Sequence, residues 1–94
     1  MILFHLGILK VKPEVELSEK DIAFIGLHIK RHVVGDWGEL ADKPANDEGL
    51  VCEKSILSVY PYGDDAFVAV STDAGRTTTT VYLPDAYIKD CTNR

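Results

Sequence analysis

Three short runs in the second half of the chain leave little choice of fold. Ile56 to Tyr62, Ala66 to Thr72 and Thr77 to Leu83 are rich in β-branched and aromatic residues, which suit a pleated, half-buried surface. Gly63-Asp64-Asp65 and Asp73-Ala74-Gly75-Arg76 separate them, and both have the residue types of tight turns. Three strands joined by tight turns predict an antiparallel meander. Pro84 ends the last run and leaves 85–94 as a short closing segment.

The first half has another period. Residues 2–11 are almost continuously apolar up to Lys10 and Lys12, and Pro13 closes the run, which predicts a strand covered on both faces. Ser18 opens Ser-Glu-Lys-Asp, a capping pattern, and the spacing then predicts a helix to Val34. Ile22, Ile25, Ile29 and Val33 make one stripe facing a core, and Gly35 is the stop. Phe24 and Leu27 lie nearly opposite that stripe. A helix apolar on two sides is buried twice, so these two residues predict a subunit interface, with cover by a loop or elbow of the same chain as the alternative. Asp36 with Glu39 repeats the cap arrangement, and a short irregular helical elbow is expected over 37–52, interrupted by Pro44.

The class is therefore α+β in one domain, 1–94: a strand, a long helix, an elbow, then the meander, with the helices packed on one sheet face. At 46% apolar and 27% charged the composition is that of a globular domain. Fifteen acids against ten bases give a net charge of −5, and Lys10, Lys12, Lys30, Arg31 and Lys54 form no long run, so no nucleic-acid partner is expected. Cys52 and Cys91 lack metal or redox spacing and read as reduced thiols. The apolar start has no basic leader and is too short to span a bilayer, which predicts a cytoplasmic protein without a membrane anchor.

With these elements placed, an ordered set of motifs stands out. It runs from Leu6-Gly7 through Arg31-His32-Val33-Val34-Gly35-Asp36-Trp37-Gly38, Asn46 and Leu57-Ser58-Val59-Tyr60. It ends in Thr72-Asp73-Ala74-Gly75-Arg76 with Thr77 to Thr80, and in Leu83-Pro84-Asp85-Ala86-Tyr87. In order and spacing this resembles a family of small bacterial proteins carried on plasmids and other mobile elements, with Gly75 standing where the family pattern has an acid. The resemblance implies a shared fold, a mobile-element context and a host or mobile-element protein as partner. An inhibitor of a host system, a toxin–antitoxin component and an accessory binding module all fit it.

The same motifs supply the candidate chemistry. His28 and His32 lie about 40° apart around a helix, and Asp36 follows the glycine, so the three could share an ion. His32 at a helix end and Asp36 at a cap have structural roles that need no metal, and no metal or other cofactor is expected. Asp36, Glu39, Asp73 or His32 could serve as acid and base, but no nucleophile or phosphate-binding loop accompanies them, which argues against an enzyme. Trp37 reads first as a packing anchor between two glycines, then as an interface residue or pocket wall. Arg76 is expected to pair with Asp73, or to stack on Trp37 or bind an anion. Tyr60 and Tyr62 share one face of their strand. The leading expectation is a non-enzymatic interaction module, homodimeric through Phe24 and Leu27. The alternative is a small enzyme or ligand-binding domain with its site at the elbow, drawn from His32, Asp36, Trp37, Asn46, Asp73 and Arg76.

Overall fold

The computed structural model describes residues 2–14 and 16–92, with side chains as far as residue 89. In chain order the elements are β1 (Ile8–Lys12), α1 (Glu19–Val33), α2 (Lys43–Cys52), β2 (Ile56–Tyr62), β3 (Ala66–Thr72), β4 (Thr78–Tyr82) and α3 (Asp85–Thr92). The four strands form one sheet in the order β1-β4-β3-β2. β2, β3 and β4 make the expected antiparallel meander, with Tyr60 opposite Val68 and Val70 opposite Val81. The sheet is mixed overall, because β1 lies parallel to β4, with Ile8 opposite Thr78. No hairpin ties β1 to β4, so nothing in the connection forces them to run in opposite directions.

The N-terminal expectation needs correction. β1 begins only at Ile8 and is an outer strand, with Ile8 66% and Leu9 46% exposed, so it is not covered on both faces. Phe4 is instead drawn into the core ahead of it. The break falls at Gly7, whose φ of +67° favours glycine and where a Cβ would sit 2.1 Å from the Thr77 carbonyl oxygen.

α1 starts and stops where its local chemistry directs. The Ser18 hydroxyl accepts from the Asp21 amide at 3.2 Å, and the Asp21 carboxylate accepts from the Ser18 amide at 2.8 Å. At the other end Gly35 has φ +86°. Its amide donates to the His32 carbonyl at 3.3 Å and that of Asp36 to the Arg31 carbonyl at 2.9 Å, a pair of bonds that closes the last turn.

The buried face of α1 keeps most of the predicted stripe, with Ile29 half-buried against the core, but loses its first member. Ile25 and Val33 are buried, but Ile22 is 59% exposed, and Asp21, His28 and His32 are buried in its stead. Polar residues take the inner face because each of Asp21 and His32 has partners there. Phe24 is also taken up within the chain: it stacks on Tyr87 with ring centroids 4.4 Å apart and meets the edge of Tyr62 at 5.8 Å. The cover comes from α3, where only a closing segment was expected, and the Tyr87 hydroxyl donates to the Asp21 carboxylate. Leu27 remains exposed.

The elbow is shorter in helix than expected. α2 is capped by Asp42, whose carboxylate accepts from the Ala45 amide at 3.1 Å, with Pro44 in the first turn. Asp36 does not cap it, because 36–38 lies alongside β2 and the Trp37 carbonyl accepts from the Val59 amide at 2.9 Å. Helices pack on one sheet face, α1 and α3 over its middle and α2 toward β2. That face presents Ile56, Ser58, Tyr60, Val68, Val70, Thr72, Thr79 and Val81, all buried. Leu57, Phe67 and Tyr82 stand exposed on the other. Two apolar clusters form beneath the helices, one around Ile25, Tyr60, Val68 and Tyr87, the other around Phe4, Val33, Trp37 and Ile56. Among the described residues no helix is long and apolar enough to cross a membrane.

Candidate functional site at the helical elbow

His32 sits at the centre of the candidate cluster and has no exposed surface. It projects from the last turn of α1 onto the sheet. There Nδ1 meets the Ser58 hydroxyl at 2.5 Å and Nε2 the Thr72 hydroxyl at 2.8 Å. Thr72 continues to the Thr79 hydroxyl at 2.8 Å, which donates to the Leu6 carbonyl at 2.8 Å. Strand alternation points all three hydroxyls inward, opposite a helix end that supplies one imidazole. Burial, with the charge of Arg76 as a smaller cause, pushes the His32 pKa down to about 4, so the ring is neutral near neutral pH. A serine hydroxyl against an imidazole is the geometry of an activated nucleophile. Here Ser58, His32, Thr72 and Thr79 are all fully buried, so the hydroxyls satisfy the ring and the ring satisfies them.

Trp37 and Arg76 gather with His32 around a residue that the sequence did not single out. Phe4 meets the His32 ring edge at 5.1 Å and stacks on Trp37 at 6.1 Å, and the Arg76 guanidinium lies 5.5 Å from its centroid. Its burial was hidden inside an apolar run that read as strand. Trp37 is 4% exposed, and its indole nitrogen reaches Asp47 at 3.4 Å. Arg76 does not stack on Trp37. It donates to the Gly49 and Lys54 carbonyls at 2.8 and 2.7 Å, closing the C-terminal end of α2, and to the Asp73 carbonyl at 3.0 Å. The Asp73 carboxylate turns to its own loop, accepting from the Thr77 amide at 2.7 Å, the Thr78 amide at 3.2 Å and the Thr77 hydroxyl. Those bonds hold its carboxyl below the usual range.

Asp36 and Asn46 point elsewhere. Asp36 accepts from Arg31 at 2.8 Å, and this contact, helped by the Gly38 amide, holds its carboxyl below the usual range. The Arg31 guanidinium covers the Tyr60 ring at 4.3 Å, while the Tyr60 hydroxyl donates to the Asp36 carbonyl at 2.7 Å. Asn46 behaves like a strand of one residue: its amide donates to the Leu57 carbonyl at 2.7 Å and its oxygen accepts from the Leu57 amide at 2.9 Å. Gly38, with φ +85°, lets the elbow press against β2, since a Cβ there would lie 2.0 Å from the Val59 oxygen. Asn46→Ala leaves both main-chain groups of Leu57 without their partner, so its chemical unfolding free energy is expected to fall by about 1–3 kcal/mol. A variant with the parent's urea midpoint would show that water replaces the side chain at no cost.

The proposed ion ligands do not converge. Both His32 nitrogens are occupied, Asp36 faces Arg31, and the His28 ring lies between Tyr60 at 4.9 Å and Phe24 at 4.8 Å. Burial first, then the Arg31 charge, lowers the His28 pKa. Among the described residues no group of three or more His, Cys, Asp or Glu is placed to hold a metal. Cys52 is exposed and free, and the Cys91 side chain falls outside the described residues. Tyr60 and Tyr62 do share a face, but it is the inner one: Tyr60 is buried and Tyr62 is half-buried against the core. Compared with family models, curated proteins and solved structures, the chain matches none.

Proposed function

We propose that the chain is a non-enzymatic protein-interaction module of mobile-element origin. It belongs to the plasmid-borne family its motifs resemble and works in the cytoplasm as a homodimer on a host or mobile-element protein. One observation carries this reading: the motif's polar groups are spent on the chain's own framework. His32, Asn46 and Arg76 each hold one element to another, while apolar side chains, Leu27 and Val34 among them, remain exposed. Phe24 is committed to Tyr87, so the outer face of α1 around Leu27, 57% exposed, and Val34 is the proposed dimer surface. Light scattering at micromolar concentration is expected to give about twice the chain mass of 10.4 kDa, and Leu27→Asp to return it to one. A monomeric parent would remove the dimer from the proposal.

The second reading, a ligand site at the elbow, is favoured by a depression of ≈ 350 Å³ lined by Arg31, Asp36, Trp37, Glu39 and Lys43. Two carboxylates and two cations border it. A small ligand bound there would shift the backbone amide resonances of Gly38 and Glu39; unmoved resonances across a metabolite screen would retire the reading.

A further inference from the structure

The two outer strands of the sheet are finished differently. On β2 the outward main-chain positions are Leu57, Val59 and Pro61, and none of the three offers an open amide. Asn46 takes both groups of Leu57, the Trp37 carbonyl takes the Val59 amide, and Pro61 has no amide to offer. On β1 the inward positions are Ile8, Lys10 and Lys12. The Ile8 amide donates to the Thr77 carbonyl and the Leu83 amide to the Lys12 carbonyl, both at 2.8 Å. Leu9 and Val11 therefore turn their amides and carbonyls away from β4. Among the described residues neither meets a backbone partner on that side.

The geometry points to a docking edge: β1 takes an extended acidic segment of a partner protein as a fifth strand, pairing through Leu9 and Val11. This rests on the interaction-module reading and gives it a site and a ligand class. Main-chain pairing supplies affinity in such an arrangement, and the side chains opposite each other supply choice. Lys10 and Lys12 lie on the open sheet face beside Thr80 and Tyr82, exposed and, among the described residues, in no ion pair. Side chains of an added strand would stand directly across from them, close enough for opposite charges to attract. The alternate side chains of that strand would lie on the helix side, next to exposed Leu9 and near a groove of ≈ 390 Å³ lined by Phe4, Leu6, Ile29 and Val33. The favoured ligand thus alternates acidic and apolar residues.

A second copy of this chain is a poorer occupant. The two-fold antiparallel register that uses both Leu9 and Val11 brings the two copies of Lys10 face to face, and like charges directly opposite destabilise a pair. Edge lysines can also serve only to keep other strands away. An acidic ligand separates these roles, because it is drawn by the charges that repel another copy.

The probe is a fluorescein-labelled peptide alternating glutamate and valine, with a lysine–valine peptide as its control. The glutamate peptide is expected to bind with a Kd below about 1 mM and at least about tenfold more tightly than the control. Lys10→Glu combined with Lys12→Glu should reverse that preference. Leu9→Pro removes an outward amide and no bond to β4, so it should weaken binding about tenfold while the melting temperature holds. Hydrogen exchange gives the decisive readout: the Leu9 and Val11 amides should slow on binding, whereas that of Lys10 is slow throughout. Failure of the glutamate peptide to bind, or binding that leaves those two amides fast, overturns the proposal. So does protection of both amides in the concentrated protein alone, which would place a second copy on the edge. The dimer test reads Leu27 on α1, so either result stands without the other.

Discussion

Trp37→Ala is expected to remove about 3–5 kcal/mol of stability, the usual loss on truncating a buried large aromatic. A domain of this size holds about 5–15 kcal/mol in all, so the variant would approach its unfolding limit at ambient temperature. The ring packs against Phe4 and His32 and joins the cluster with Val33 and Ile56. Its carbonyl is bonded to Val59, so a cavity would open beneath a backbone that cannot easily collapse. Because Trp37 is the only tryptophan, urea unfolding of the variant must be followed by circular dichroism. Trp37→Phe should recover part of the loss. A Trp37→Ala midpoint equal to the parent's would show that the ring does not pack as described.

Acidification is expected to cost about 3 kcal/mol through His32 alone. The sign follows from where protons bind. The unfolded ring takes a proton below its ordinary pKa of 6.5, whereas the folded ring, buried and held neutral, takes one only below about 4. Stability is therefore complete above 6.5 and falls as pH drops from 6.5 to about 4. His28, also lowered by burial, adds in the same direction. The Asp36 and Asp73 carboxyls, both lowered, contribute their loss further down, below the ordinary Asp value of 3.8. The check compares urea unfolding near neutral pH with unfolding at about pH 4.5, in the parent and in His32→Gln, which keeps a hydrogen-bonding side chain but does not titrate. The parent should lose most of the predicted amount and His32→Gln much less. An equal loss in both would assign the effect to other groups.

What the sequence made legible was local. The β2 and β3 boundaries, the Ser18 cap and the Gly35 stop each depend on a few adjacent residues and stand where expected, and β4 is one residue shorter at each end. What it hid was set by distant partners. The Ser58 and Thr72 hydroxyls that draw His32 inward lie 26 and 40 residues away, so hydropathy alone turned α1 toward Ile22. β1 joins β4 across nearly the whole chain, and its apolar run could not reveal that Phe4 enters the core while Ile8 stays outside. Trp37 and Asn46 finish a strand edge, and Arg76 finishes a helix, roles that appear only when α2 and β2 are seen side by side.

The unequal edges of the sheet also set the chain's behaviour as a monomer in the polymer chemist's sense. Growth of a fibril by adding strands requires two reactive ends on every unit, one to accept and one to offer. With no amide open at Leu57, Val59 or Pro61, the sheet is monofunctional at its edges, and edge pairing through β1 terminates after a single step. Asn46 and Trp37 thus act as a chain stopper carried within each unit. Association through the sheet edges alone can make a pair and nothing longer.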